Sequence, residues 1–119
     1  MTQYTFGFLG LGLIGGSIAR ALKAHDGSNR IIAFDTDRKS LTKAYEDGVV
    51  DVLVSDIDSR FSECDFVFLC APVKHNAANA EKVKPFLKDS AILTDVSNLA
   101  SFGNLAQGSF TLQGSGALA

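Results

Sequence analysis

With 119 residues, 46% of them hydrophobic, and a formal charge of −2, the chain has the makeup of one globular domain rather than a disordered segment, and lacks the basic excess of a nucleic-acid binder. Its longest apolar run, Phe66 to Val73, is too short to span a bilayer, and no cationic stretch ahead of an apolar one marks a leader, so a cytoplasmic protein is expected. Cys64 and Cys70 are too few for a disulfide framework and are expected to remain thiols; no Cys/His/Asp cluster has metal-ligand spacing.

In chain order, apolar runs alternate with helical patterns. A first strand is expected over Thr5 to Leu9, followed by a helix with Ile14, Ile18, Ala21 and Leu22 on its inward face, broken at His25-Asp26-Gly27. A second strand spans Ile31 to Phe34. A second helix, Ser40 to Asp47, turns Leu41, Ala44 and Tyr45 inward and stops at Gly48. Short strands follow at Val52 to Val54 and at Phe66 to Cys70, the latter continuously apolar as for a strand buried on both faces. A helix over Asn76 to Lys84, with Ala77, Ala80 and Val83 inward, leads through Pro85 to a strand at Ala91 to Leu93. A weaker helix, Leu99 to Ala106, and an extended segment, Ser109 to Leu112, close the pattern. Such alternation implies βαβ units in a doubly wound parallel α/β sheet, with right-handed crossovers giving the strand order 3-2-1-4-5.

Between the first strand and first helix stands Gly10-Leu11-Gly12-Leu13-Ile14-Gly15, a G-x-G-x-x-G run, with the acidic Asp35 about twenty residues further on at the end of the second strand. Each part has a physical task in holding a dinucleotide. Gly10 permits the tight turn, Gly12 leaves room for a pyrophosphate, and Gly15 lets the helix lie close to the sheet. The first amides of the helix, at Leu13 and Ile14, point unpaired N–H groups at the phosphates. Asp35 is placed to accept the ribose 2′- and 3′-hydroxyls, which favours NAD; Asp37 could serve instead, and Arg38 could receive the 2′-phosphate of NADP. Ala71 and Pro72, after the fourth strand, offer a low, stiff wall at the switch point of the sheet.

The run Gly10 to Ser17, with its double glycine and serine, resembles the opening of the prephenate and arogenate dehydrogenases, the NAD(P)-dependent oxidoreductases of tyrosine biosynthesis. Ala33-Phe34-Asp35-Thr36-Asp37, Asp65 to Val73 with its Pro-Val ending, and Ala91 to Ser97 with its Thr-Asp-Val ending resemble that family's second, fourth and fifth strands. The resemblance implies a Rossmann-type NAD-binding domain over residues 1–119, a small-molecule substrate, a homodimer, and a helical substrate domain beyond this sequence. It further implies an apolar strip near Val73 and Leu99 where that domain would cover the crevice.

Two places depart from the family pattern. Asn98 stands where the family has a serine near the substrate, with Ala100 at a lysine position; Gly116 stands where the family has a histidine that contacts the ring hydroxyl, and Ala117 where a proline follows it. Asn98, Asp95 and His75 therefore remain as catalytic candidates, with helix capping the competing role for Asp95. His25, at a helix end, reads as a solvated cap. The expected activity is oxidative decarboxylation of prephenate or arogenate, incomplete in this chain by itself. The alternatives are a non-catalytic dinucleotide module or sensor, and another hydroxy-acid or imine reductase of the same superfamily.

Overall fold

The computed structural model describes residues 3–96. Five parallel strands form one sheet: β1 (Thr5–Leu9), β2 (Arg30–Phe34), β3 (Val52–Val54), β4 (Phe66–Leu69) and β5 (Ile92–Asp95), in the order β3-β2-β1-β4-β5. Helices α1 (Gly12–His25), α2 (Arg38–Glu46) and α3 (Val73–Val83) link them, with 3₁₀ turns at Ser59–Glu63 and Lys84–Phe86. The order and all-parallel pairing follow the expectation, with Phe6 opposite Phe66 across β1 and β4.

Alternation along the strands divides the core in two. Phe6, Phe8, Ile31 and Ala33 point to one face, where Ala19 of α1 and Leu41 and Ala44 of α2 cover them. Leu9, Ile32, Val67, Leu69 and Leu93 point to the other, beneath Val83 of α3 and Phe61 of the first 3₁₀ turn. Chain direction explains the split. From β1 to β3 the sheet grows one way and from β4 to β5 the other, so right-handed crossovers put α1 and α2 on one face and α3 on the opposite one.

Three inward faces differ in part from the sequence reading: Ile18, Leu22, Leu41, Ala44, Ala80 and Val83 pack inward as expected, and others do not. On α1 the buried positions are Gly15 and Ala19, with Ile18 and Leu22 packed beside them; Ile14 and Ala21 are exposed. Helix α2 begins at Arg38 and turns Tyr45 outward, and α3 begins at Val73 and buries Asn76 and Val83 while Ala77 is exposed. In each case tertiary contact with the curved sheet selects a narrower stripe than the apolar pattern offers. Strand β5 runs from Ile92 to Asp95, later than expected, because Ile92 donates its N–H to the Asp65 carbonyl and Val96 donates to Leu69. Strand β4 is fully buried on one face only: Phe66 and Phe68 are half-buried, stacked on Phe6 and Phe8 at centroid distances of 5.3 and 5.1 Å. The expected helix at Leu99 to Ala106 and strand at Ser109 to Leu112 lie outside the described residues.

Carboxylates fasten the strands at their amino ends. Asp65 accepts the Thr5 N–H at 2.8 Å and the Lys88 ammonium at 2.6 Å, joining the start of β1 to the approach of β4. Burial pushes its acidity the other way, but those two donors outweigh it and hold the carboxyl below its usual range. A folded value below the unfolded one means this group stabilises the fold above about pH 4 and loses that contribution as pH falls through the folded value. Asp65→Ala is expected to lower stability by about 1–2 kcal/mol near neutral pH, and the difference from the unsubstituted protein should shrink in urea titrations run at acid pH.

Candidate functional site

The site grows out of the β1–α1 turn. Gly10 has φ +92° and Gly12 φ +49°, a left-handed region that disfavours side chains. Their surroundings differ sharply. A Cβ on Gly10 would lie 2.6 Å from the Ala71 nitrogen and 2.7 Å from its Cα, whereas a Cβ on Gly12 would have no atom within 4 Å. Gly10 is thus pressed against the end of β4, and Gly12 faces open space. Gly15 meets the Gly10 carbonyl and the Cys70 Cβ, at 3.1 and 3.2 Å from its missing Cβ, which brings α1 close to the sheet.

Helix α1 opens without a side-chain cap and without an acidic residue in its first turn, and α3, which follows Pro72, does the same. Helix α2 is different: Asp37 caps it, accepting the Lys39 and Ser40 N–H groups and the Ser40 hydroxyl. The Ser40 hydroxyl and amide hold that carboxyl below its ordinary range. Asp37 is therefore committed to the start of the helix. Two uncapped N-termini, each carrying partial positive charge, meet at the carboxyl ends of β1 and β4, the switch point of the sheet.

Between them lies a cleft of about 480 Å³. Gly10, Gly12 and Asp35 form one side and Cys70, Ala71 and Pro72 another; α3 contributes His75, Asn79 and Lys82. Asp35 has a task that the sequence does not reveal. Its Oδ2 accepts the Leu11 N–H at 2.8 Å and its Oδ1 accepts the Asp37 N–H at 2.9 Å, so it ties the glycine turn to the end of β2. A carboxylate has about four acceptor positions, and two remain for a ligand. Cys70 is kept a neutral thiol: burial, with the Asp95 charge adding to it, pushes it up to about 12. Cys64, beneath Gly7, is likewise raised to about 12 by burial, and both cysteines are free.

Of the other candidates, Arg38 opens α2 and lines a separate surface depression with Lys39 and Glu46, outside the cleft. Leu13 is 87% exposed, and Ile14 and Val73 also stand exposed at the ends of α1 and α3 beside the cleft. His25 ends α1 as expected. Asp95 ends β5 and lies within 3.4 Å of the Asn76 amide. Asn98, Leu99, Ala100, Gly116 and Ala117 lie outside the described residues. Among the described residues, no group of histidine, cysteine and acidic side chains could hold a metal ion, and no helix is long and apolar enough to cross a membrane.

Comparison with known proteins agrees with this geometry. Residues 18–101 match the family described as prephenate dehydrogenase, nucleotide-binding domain. The cyclohexadienyl dehydrogenase of Zymomonas mobilis is 33% identical over 91 residues, 76% of this chain and 31% of that protein. Among solved structures, arogenate dehydrogenase from Synechocystis shares 33% identity with a TM-score of 0.69, over 76% of this chain and 32% of that one. Prephenate dehydrogenase from A. aeolicus, solved with hydroxyphenyl propionate and NAD+, shares 30% identity with a TM-score of 0.72, over 80% of this chain and 34% of that one. The chain thus spans about a third of the length of these relatives. A Rossmann-type sheet, a glycine turn beneath an uncapped helix and a family match over most of its length place this chain in the prephenate dehydrogenase family, as its nucleotide-binding domain.

Proposed function

We propose that residues 1–119 are the NAD-binding domain of a dehydrogenase that oxidises prephenate or arogenate in the cytoplasmic route to tyrosine. The observation that carries this reading is the open N-terminus of α1 behind Gly12, where no side chain competes for the first amides and no neighbour fills the space a ligand would take. The amides of Leu13 and Ile14 would hold the pyrophosphate. Asp35 would hold the ribose with the acceptor positions left over from Leu11 and Asp37. Its negative charge repels a 2′-phosphate, and Arg38 lies outside the cleft, so both favour NAD over NADP.

When bound, NAD+ supplies the hydride acceptor; the chain's own residues bind, orient and shield it. Ala71 and Pro72 form the wall for the nicotinamide ribose, and the exposed Leu13 and Val73 suit a substrate-holding segment and a homodimer of the kind the family resemblance implies. The competing reading, a dinucleotide module without catalysis, draws on the sequence, where Asn98 and Gly116 replace the residues expected near substrate.

Calorimetric titration of the 119-residue chain tests the cofactor assignment. NAD+ should bind tighter than NADP+ by about tenfold or more, the scale of one like-charge contact near a protein surface. With prephenate added, absorbance at 340 nm should not rise. General acid–base help alone contributes roughly 10²–10⁴-fold, and it requires a group at the ring hydroxyl. Absence of NAD+ binding would remove the proposal. Brisk NADH formation would instead move Asp95, Asn98 or His75 into the catalytic role.

A further inference from the structure

Asn76 is one of two buried polar side chains among the described residues, the other being Asn29, and it sits on the inward stripe of α3 beneath the cleft wall. Its Oδ1 accepts the Ala71 N–H at 3.1 Å, and its Nδ2 lies 3.5 Å from the Leu69 carbonyl and 3.4 Å from Asp95 Oδ1. The amide orientation is set by these partners, because the Ala71 N–H requires an acceptor while the carbonyl and carboxylate require a donor. One side chain therefore joins the end of β4, the first turn of α3 and the end of β5. The Ala71 nitrogen it holds is the atom that a Cβ on Gly10 would approach to 2.6 Å, so the glycine turn rests on the same peptide.

Resting on the cofactor assignment above, we propose that Asn76 is a positioning residue of the cleft. It fixes the height of the Ala71–Pro72 wall and the place of the Asp95 carboxylate, and through them the geometry offered to the pyrophosphate and nicotinamide half of the cofactor. An apolar side chain of similar volume would leave the Ala71 N–H and the Leu69 carbonyl without this partner, and the wall would move to find others. The adenosine ribose would be held by Asp35, just past β2, whose hydrogen bonds run to Leu11 and Asp37 rather than to Asn76, so that end should respond far less.

The test compares NAD+ with AMP, a probe of the adenosine half, on the full chain by calorimetry. In folded Asn76→Leu, NAD+ affinity should fall at least about tenfold while AMP affinity changes less than about twofold, since one unsatisfied buried partner suffices for such a loss. A purely structural role would weaken both ligands together. Should that variant not fold, Asn76→Asp carries the question. It keeps an acceptor for Ala71 but sets a second carboxyl against Asp95, and such a pair takes up a proton more readily than either group alone. The NAD+-to-AMP affinity ratio, taken relative to that of the unsubstituted chain at the same pH to cancel the titration of the AMP phosphate, should then drop near pH 8 and recover near about pH 5. Equal weakening of both ligands, or an unchanged ratio, would overturn the role. Failure of the unsubstituted chain to bind NAD+ would show beforehand and overturn the cofactor assignment instead.

Discussion

Gly10→Ala should be the most damaging single-methyl change in the described part of this domain, lowering stability by about 3 kcal/mol or more. Two effects add. At φ +92° an L-residue is strained, and the new Cβ would meet the nitrogen, Cα and Cβ of Ala71 at 2.6, 2.7 and 2.9 Å. Two of those three atoms are backbone, held by the Asn76 amide just past the Cys70 N–H bond to the Leu9 carbonyl, so they cannot swing aside as a side-chain tip would. The glycine turn must lift instead, breaking the Gly10 N–H bond of 2.7 Å to the Phe34 carbonyl and loosening the Leu11–Asp35 link. Gly16→Ala supplies the control: it lies in the same helix-opening segment, with ordinary φ and no atom within 4 Å of the added Cβ. That change should be neutral or stabilising by up to about 1 kcal/mol, since alanine is the better helix former. Gly15→Ala should fall between the two, with contacts of 3.1 and 3.2 Å to relieve. Thermal melting should therefore show a drop of roughly 15 °C at Gly10 and none at Gly16. Equal losses at both positions would mean that the close approach to Ala71 does not matter.

Gly12→Val should separate binding from folding. The Cβ would meet nothing in the protein, so the penalty to the fold is the left-handed φ of +49°, about 2 kcal/mol. The same open space is where a pyrophosphate must come close to the first amides of α1. A branched side chain there keeps the phosphates from two or more charge-assisted hydrogen bonds, each worth about 1.5–3 kcal/mol, so NAD+ affinity should fall at least about 100-fold. Circular dichroism at 25 °C (about room temperature, well inside the usual stability range) should remain that of the folded domain. A folded variant with unchanged NAD+ affinity would refute the assignment of this turn to the cofactor.

Local periodicity and spacing carried the architecture. Strand, glycine turn, helix and strand-end Asp35 follow one another in a pattern that few folds accommodate, and right-handed crossovers leave few arrangements of five short parallel strands. The positions of Gly10, Gly12, Asp35, Ala71 and Pro72 around one crevice were legible for the same reason, because each lies at the carboxyl end of a strand or the start of the helix behind it. Which face of each helix points inward was not. Ile14, Ala21, Tyr45 and Ala77 satisfy an apolar pattern yet stand exposed, since burial depends on how a helix axis lies across a twisted sheet.

The segment before β4 shows the limit most clearly. Phe61 is fully buried in a short 3₁₀ turn that no periodicity announces, and it fits because Gly7, on a strand distant in sequence, has no side chain: a Cβ there would lie 2.8 Å from Cys64 Sγ and 3.0 Å from the Phe61 ring. Asn76 belongs to the same class. In the sequence it is a polar residue four before Ala80 on the inward side of a helix, and only the folded backbone brings Ala71, Leu69 and Asp95 to its amide. Asp35 and Asp37 were interchangeable as ribose acceptors on spacing alone. The structure gives them different partners, because the N–H groups at the start of α2 fall within reach of Asp37, while the Leu11 N–H falls to Asp35. The sequence by itself thus determined the order of elements and the chemistry gathered at their ends, which are local properties of the chain. Only the tertiary structure decided which polar groups satisfy one another, because that depends on atoms brought together from distant strands.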